Sequence, residues 1–295
     1  MPDPRPPIGF LVVGAQKSAT SWLFYCLREH PQLCLPEKKR ESDYIGGPTY
    51  RERGNAWYFG LFAGWRPGQL AGAVSVDYMF DAAAADAVRQ VAPNAKLIAM
   101  VREPVDRAIS AYYWLVRKRL ISRIGIPAAL ERGLHDSWSG TESPFAELLA
   151  RGLYARQLGR YLEHFPAEQM LVGAYDDVVA DAAAAVSGIY RFLGVDPGFA
   201  PRSLPTRPKA NAFSSVLISL ERLAPRSRIM AHASGFMNNA VRRLRMSGAR
   251  PRIPARLNAE LRAFFSDDLR ALDRLISGTR VLSHATRETV RGWHD

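Results

Sequence analysis

Cysteine is scarce: Cys26 and Cys34 are the only two in 295 residues. Two thiols exclude a disulfide-stapled scaffold, and their spacing does not suit a metal site. Cys26, inside an apolar helical stretch, reads as a small packed hydrophobe. No run of about eighteen apolar residues occurs, so no membrane-spanning helix is expected. The N-terminus MPDPRPPIG lacks the apolar core of a signal peptide, and a cytoplasmic location is expected. Also missing is the loop G-x-x-x-x-G-K-[ST], in which a lysine and a hydroxyl meet at a helix start. Its absence argues against a P-loop kinase or NTPase.

What is present is ordinary in bulk and unusual in charge. Hydrophobic residues make up 47% and charged residues 23%, as in soluble globular proteins. The net charge is +12, and arginine outnumbers lysine. Such a balance fits attraction to an anionic ligand, and equally an arginine-rich solvated surface. Basic residues are not interleaved with aromatics, so nucleic acid is not expected as a partner.

Residues 8 to 22, IGFLVVGAQKSATSW, run from an apolar strand through Gly14 into a polar turn and then a helix. Helix N-termini carry N–H groups without helical partners and the positive end of the dipole, so this turn is built to hold a phosphate-like anion. A second apolar strand, KLIAMV at 96 to 101, is followed by Arg102, where a magnesium-using NTPase would place an aspartate. Pro104 then opens a helix that carries Ser110. An arginine fork plus a hydroxyl suits a second, separate phosphate.

GAQKSATSW, followed about eighty residues later by VREPVDRAISAYY, resembles the two donor motifs of sulfotransferases that use 3′-phosphoadenosine-5′-phosphosulfate. The branch it resembles contains the heparan sulfate sulfotransferases and bacterial relatives. HPQLCLPEKKRESDY, RGLYARQLGRYLEHFPAEQMLVGAYDDV and GIYRFLGV extend the ordered similarity over about residues 8 to 195. The resemblance implies that Gln16, Lys17, Ser18, Ala19, Thr20, Ser21 and Trp22 grip the 5′-phosphosulfate, and that Arg102 and Ser110 grip the 3′-phosphate. It implies no metal, and 3′-phosphoadenosine-5′-phosphate as the product. Lys17 would stabilise the leaving oxygen. Glu41, in the segment after the His-Pro turn, would be the base, with Glu37 as the alternative register and Asp77 next in line. Relatives carry a basic loop over the donor where this chain has Arg242, Arg243, Arg245, Arg250 and Arg252.

The chain also departs from that pattern. Ala19 and Ser21 stand where glycine and threonine are usual; alanine restricts the backbone and serine keeps the hydroxyl. Ala73 and Val74 stand where glutamate and lysine often precede the serine of Ser75-x-x-Tyr78, so no role for that lysine carries over. This leaves a noncatalytic nucleotide-binding relative as an alternative to an enzyme. Three further residues have readings of their own. Arg107, one turn before Ser110, is expected to face solvent or an acid; Tyr154 suits the core or the cleft; His30 reads as a helix C-terminal residue.

The expected fold is α/β, a P-loop-like parallel sheet with helices on both faces and a helical C-terminal extension, as one domain over 1–295. Strands are expected at 8–13, 71–76, 96–101 and 169–174. Helices are expected at 19–30, 81–91, 104–118, 144–164, 181–193, 214–224 and 256–276. Residues 196–295 would supply a lid or acceptor region. Within it VLISLERL reads as a packed helix or one lying on a membrane surface. The acceptor, whether carbohydrate, lipid or small metabolite, and the oligomeric state stay open at this level.

Overall fold

The computed structural model describes residues 6–39, 41–206 and 251–294. The chain begins with β1 (Ile8–Gly14), α1 (Thr20–Arg28), β2 (Leu33–Cys34), α2 (Pro48–Gly60), β3 (Leu70–Val74), α3 (Asp77–Phe80) and α4 (Ala84–Val91). It continues through β4 (Lys96–Val101), α5 (Pro104–Lys118), α6 (Ile126–Trp138), α7 (Pro144–Ala150), α8 (Tyr154–Leu162), β5 (Met170–Ala174), α9 (Tyr175–Ala180) and α10 (Ala182–Leu193). After the undescribed stretch come α11 (Ala255–Gly278), β6 (Arg280–Val281) and α12 (His284–Arg291).

The strands form one sheet in the order β2-β3-β1-β4-β5-β6, and every pairing is parallel. Side chains alternate across it with the period of two that a strand imposes. Leu11, Val13, Leu97, Ala99 and Val101 enter one core, together with α5 to α8 and α11. Phe10, Val12, Ile98 and Met100 enter the other, against α1 and α10. The expected sheet, covered on both faces, is therefore the one observed. Each large side chain so buried contributes about 1.5 to 3 kcal/mol.

The sheet order reverses at β1, which has β3 on one side and β4 on the other. A parallel sheet opens a crevice at such a point, at the carboxyl ends of the strands. Ala15 N–H donates to the Met100 carbonyl at 2.6 Å, joining the loop after β1 to the end of β4. Pro104 and the Glu103 carboxylate, which accepts from the N–H groups of Val105 and Asp106, start α5 immediately beyond Arg102.

Some elements differ from expectation. The helix expected over 144–164 is two helices, α7 and α8, broken around Gly152. A Cβ there would stand 2.9 Å from the Phe265 ring and 3.0 Å from Pro104, so the break lets the chain pass close to α5 and α11. Helix α6 is an addition to the expected elements, with Pro127 in its first turn. Gly133 is required where α6 crosses α7, since a Cβ would meet the Phe145 carbonyl at 2.7 Å. Helix α2 escaped notice because Gly54 interrupts it with φ 72°. The two-residue strands β2 and β6 are too short to leave a pattern. The helix expected at 214–224 lies outside the described residues.

Carboxylates tie the C-terminal elements to the sheet. Asp268 on α11 accepts from the N–H groups of Ala155 and Arg156, both at 3.0 Å, and so caps α8. Asp177 on α9 accepts from Ser283 Oγ at 2.8 Å and Thr286 Oγ1 at 2.6 Å at the start of α12.

Candidate active site

A cleft of about 460 Å³ opens at the carboxyl ends of β1 and β4. It is lined by Gln16, Lys17, Ala19, Thr20, Ser21 and Trp22 from the first loop and α1, and by Arg102 and Ser110 around the start of α5. Glu41 lines it from the segment after β2. Of the nine residues expected to grip the donor and the first-choice base Glu41, all but one thus converge on one cavity. The tenth, Ser18, is fully buried behind the loop, and its Oγ has no hydrogen-bond partner. Trp22 is also buried, packs into the core and leaves its Nε1 unpartnered.

The loop is wound tightly, with Lys17 at φ 70° and Ala19 at φ 67°. Both lie in the left-handed region that non-glycine residues enter only at a cost. That turn starts α1, whose first turn carries no acidic side chain to compete for its N–H groups. Lys17 Nζ lies 5.8 Å from the centre of the Trp114 ring. Arg102 Nη1 donates to the Lys17 carbonyl at 3.5 Å, and its guanidinium stands 4.4 Å from the centre of the Tyr175 ring.

Glu41 is held from three sides. Its Oε2 accepts from Val76 N–H at 3.0 Å, and its main-chain carbonyl accepts from Ser75 Oγ at 2.7 Å. Its Oε1 pairs with Lys39 Nζ, whose side chain is 9% exposed. Tyr78 OH accepts from Ile45 N–H at 3.1 Å, so Ser75 and Tyr78 both anchor the segment that carries Glu41. Glu37 lines a different cavity of about 700 Å³, with Lys38, Ser42, Asp43, Arg53 and Trp57. Asp77 does not line the cleft. It pairs with Arg151 at 2.8 Å, and burial raises its carboxyl above the usual range.

Arg107 corrects an expectation: it faces neither solvent nor an acid. It is fully buried and donates through Nη2 to the Leu148 carbonyl, and burial lowers its pKa to about 10. The three-residue spacing places Arg107 and Ser110 on one side of α5, but Arg107 turns to the Leu148 carbonyl of α7 whereas Ser110 lines the cleft. Tyr154 is a core residue whose OH donates to the Arg102 carbonyl at 2.7 Å. His30 accepts from Gln32 N–H at its Nδ1, which leaves Nε2 to donate to the Asp196 carbonyl at 3.0 Å. Burial pushes the Cys26 thiol up to about 12, as its packed position requires. Of the arginine cluster, Arg242, Arg243, Arg245 and Arg250 lie outside the described residues, and Arg252 is exposed.

The cleft also contains residues the sequence reading passed over. Trp114 and Arg117 follow Ser110 at four and seven positions along α5, a helical stripe that could have identified them. Tyr25, half exposed on α1, Val76, Tyr175 and Thr206 complete the lining.

The sequence matches the sulfotransferase domain model over residues 7–204. The chain belongs to the sulfotransferase domain family. It is 31% identical over 192 residues to mouse heparan sulfate glucosamine 3-O-sulfotransferase 6, a match covering 63% of this chain and 52% of that protein. It is 28% identical over 207 residues to human bifunctional heparan sulfate N-deacetylase/N-sulfotransferase 2, covering 64% of this chain and 22% of that one. The chain therefore spans about half or less of the curated relatives it matches. A sulfotransferase from Alicyclobacillus acidocaldarius superposes with a TM-score of 0.67 at 27% identity, over 97% of this chain and 100% of that one. The membership sets aside the kinase or NTPase reading. Among the described residues no helix is long and apolar enough to cross a membrane.

Proposed function

We propose that this sulfotransferase-family chain moves a sulfuryl group from 3′-phosphoadenosine-5′-phosphosulfate to a hydroxyl or amine. The observation that carries the reading is the convergence of Lys17, Glu41, Arg102 and Ser110, from three separate segments, on one cleft. The unpartnered Trp22 Nε1 at its wall and the open N-terminus of α1 suit a polyanionic donor. The first loop holds the 5′-phosphosulfate, and Arg102 with Ser110 holds the 3′-phosphate.

In the transfer, the acceptor oxygen or nitrogen forms a bond to sulfur as the bond from sulfur to the bridging oxygen breaks. The bonding pair leaves with 3′-phosphoadenosine-5′-phosphate. Lys17, a point charge on a flexible stem, stabilises the negative charge growing on that oxygen. Glu41 takes the acceptor's proton; Val76 N–H and Lys39 hold its carboxylate at the cleft, and Ser75 holds its main chain. The relatives named for heparan sulfate favour a carbohydrate acceptor; a lipid or small metabolite is the second possibility.

Calorimetry with 3′-phosphoadenosine-5′-phosphate and with AMP tests the donor site. The first should bind more tightly by about 1.5 to 3 kcal/mol for each charge-assisted bond to the 3′-phosphate. Equal affinities overturn the assignment of Arg102 and Ser110. Incubation with the sulfated donor and an acceptor panel, read by intact mass, tests transfer. Tight nucleotide binding without transfer to any acceptor would favour the noncatalytic alternative.

A further inference from the structure

The connection from α5 to α6 takes no part in the chemistry proposed above, yet it holds two large aliphatic side chains in solvent. Leu120 is 60% exposed and Ile124 45% exposed. They are flanked by Arg117, Lys118, Arg119 and Arg123, all exposed as well. No acidic residue occurs between Asp106 and Glu131, so nothing in this stretch of sequence offsets those charges. The backbone keeps the tips outward. Arg119, at φ 61°, ends α5 in the left-handed region, and the N–H groups of Arg119 and Leu120 donate to the Val116 and Leu115 carbonyls, both at 3.0 Å. A helix closed in this way commonly folds its next apolar residue back onto the last turn, whereas Leu120 stays in solvent. The hydroxyl of Tyr112 accepts from Ile124 N–H and Gly125 N–H at 3.0 Å each, and Ile126 is buried, so Ile124 is pinned at the surface just before the chain re-enters the core.

We propose that residues 117–124 form a membrane-docking loop, which inserts Leu120 and Ile124 among the acyl chains of a bilayer rich in anionic lipid while the four cations engage its headgroups. Acyl chains take up single aliphatic side chains, and the long stems of lysine and arginine let their charges remain at headgroup level. Each cation near an anionic surface adds about fivefold to partitioning. A protein partner fits less well, because protein interfaces deplete lysine and centre on aromatic anchors, and this loop has no aromatic residue. Arg117 also lines the cleft, so docking would bring the cleft to a lipid surface. The inference goes beyond sulfuryl transfer and does not depend on the donor site.

Flotation of the full chain with vesicles of phosphatidylcholine alone, or with about a third phosphatidylglycerol, tests it. Wild type should partition to the anionic vesicles at least about tenfold more than to the neutral ones. Leu120→Ser combined with Ile124→Ser should lower that partitioning about tenfold, with Tm unchanged because both side chains are already exposed. Lys118→Gln combined with Arg119→Gly, a change the backbone at φ 61° accepts, should lower it about 10- to 25-fold. Insertion has its own readout. Cys26 and Cys34 are buried, so Leu120→Cys takes a thiol-reactive, polarity-sensitive fluorophore selectively, and its emission should rise and shift to the blue on anionic vesicles. An unchanged emission, or a serine pair that floats like wild type, would overturn the proposal and leave only the attraction of a +12 chain for any polyanion. Absence of wild-type flotation would also overturn it, and would turn the loop over to a protein partner.

Discussion

Ser75 Oγ donates to the main-chain carbonyl of Glu41 at 2.7 Å, bridging the end of β3 to the segment that carries the proposed base. The same Oγ accepts from Asp77 N–H at 3.2 Å, so the hydroxyl is fixed at both ends. Ser75→Ala should therefore loosen Glu41 without touching the nucleotide. We expect kcat to fall about 3- to 10-fold, the scale of one neutral hydrogen bond, with nucleotide affinity unchanged by calorimetry. A matching loss of nucleotide affinity would show that Ser75 supports the donor loop instead.

Glu41→Gln preserves size and hydrogen bonding but removes the proton acceptor. Transfer to a hydroxyl acceptor should fall by about 10² to 10⁴ while donor binding survives. Glu37→Gln, in its separate cavity, should be nearly silent. Steady-state rates for the pair decide the register, and full activity in both would move the base elsewhere.

Lys17→Ala should lower turnover about a hundredfold or more, with a smaller change in donor affinity, because the leaving oxygen gains its charge mainly in the transition state. Separate measurement of kcat and donor KM checks this. An enzyme with normal kcat and only a raised donor KM would reduce the lysine to a binding group.

Ala19 sits at φ 67° immediately before α1, a conformation glycine adopts without steric cost. Ala19→Gly should raise stability by about 0.5 to 1 kcal/mol, seen as a rise of about 1 to 3 °C in Tm. Ala19→Val should do the opposite. A lower Tm for the glycine variant in scanning calorimetry would mean that the loop carries no such strain.

Asp136, at the end of α6, accepts from Ser143 Oγ at 2.6 Å and from Arg132 Nε, and its side chain is only 1% exposed. These hydrogen bonds, that of Ser143 foremost, lower its pKa from 3.8 to about 2. A carboxyl depressed in the folded state stabilises the fold above its unfolded pKa, and that contribution is lost as pH falls from about 3.8 to about 2. Asp136→Asn should thus be less stable than wild type at pH 7, with the gap closing toward pH 2. Denaturant titrations at a series of pH values would record it, and a gap independent of pH would contradict the assignment.

The loop proposed to hold the donor was readable because its geometry is local. A strand, a turn and a helix start within fifteen consecutive residues fix where the N–H groups point, whatever the rest of the chain does. Arg102 and Ser110 were readable for the same reason, one closing a strand and the other on the helix that follows. Near-continuous apolar runs at 8–14 and 96–101, separated by helical stretches, likewise announced a parallel sheet buried on both faces.

Tertiary structure decided what depends on neighbours distant in sequence. Two acids in EKKRE have equivalent local patterns, and only the bonds from Ser75 and Val76 at the end of β3 bring Glu41, rather than Glu37, to the cleft. Helical spacing put Arg107 and Ser110 on one face of α5, but the packing of α7 buried the arginine against Leu148. Tyr175 meets Arg102 because β4 and β5 pair in parallel register. Sequence by itself set the anion loop and the layered sheet, since short-range backbone geometry suffices for the first and apolar strand runs alternating with helices suffice for the second. The composition of the cleft was left to strand order and helix packing, which join segments that no local pattern relates.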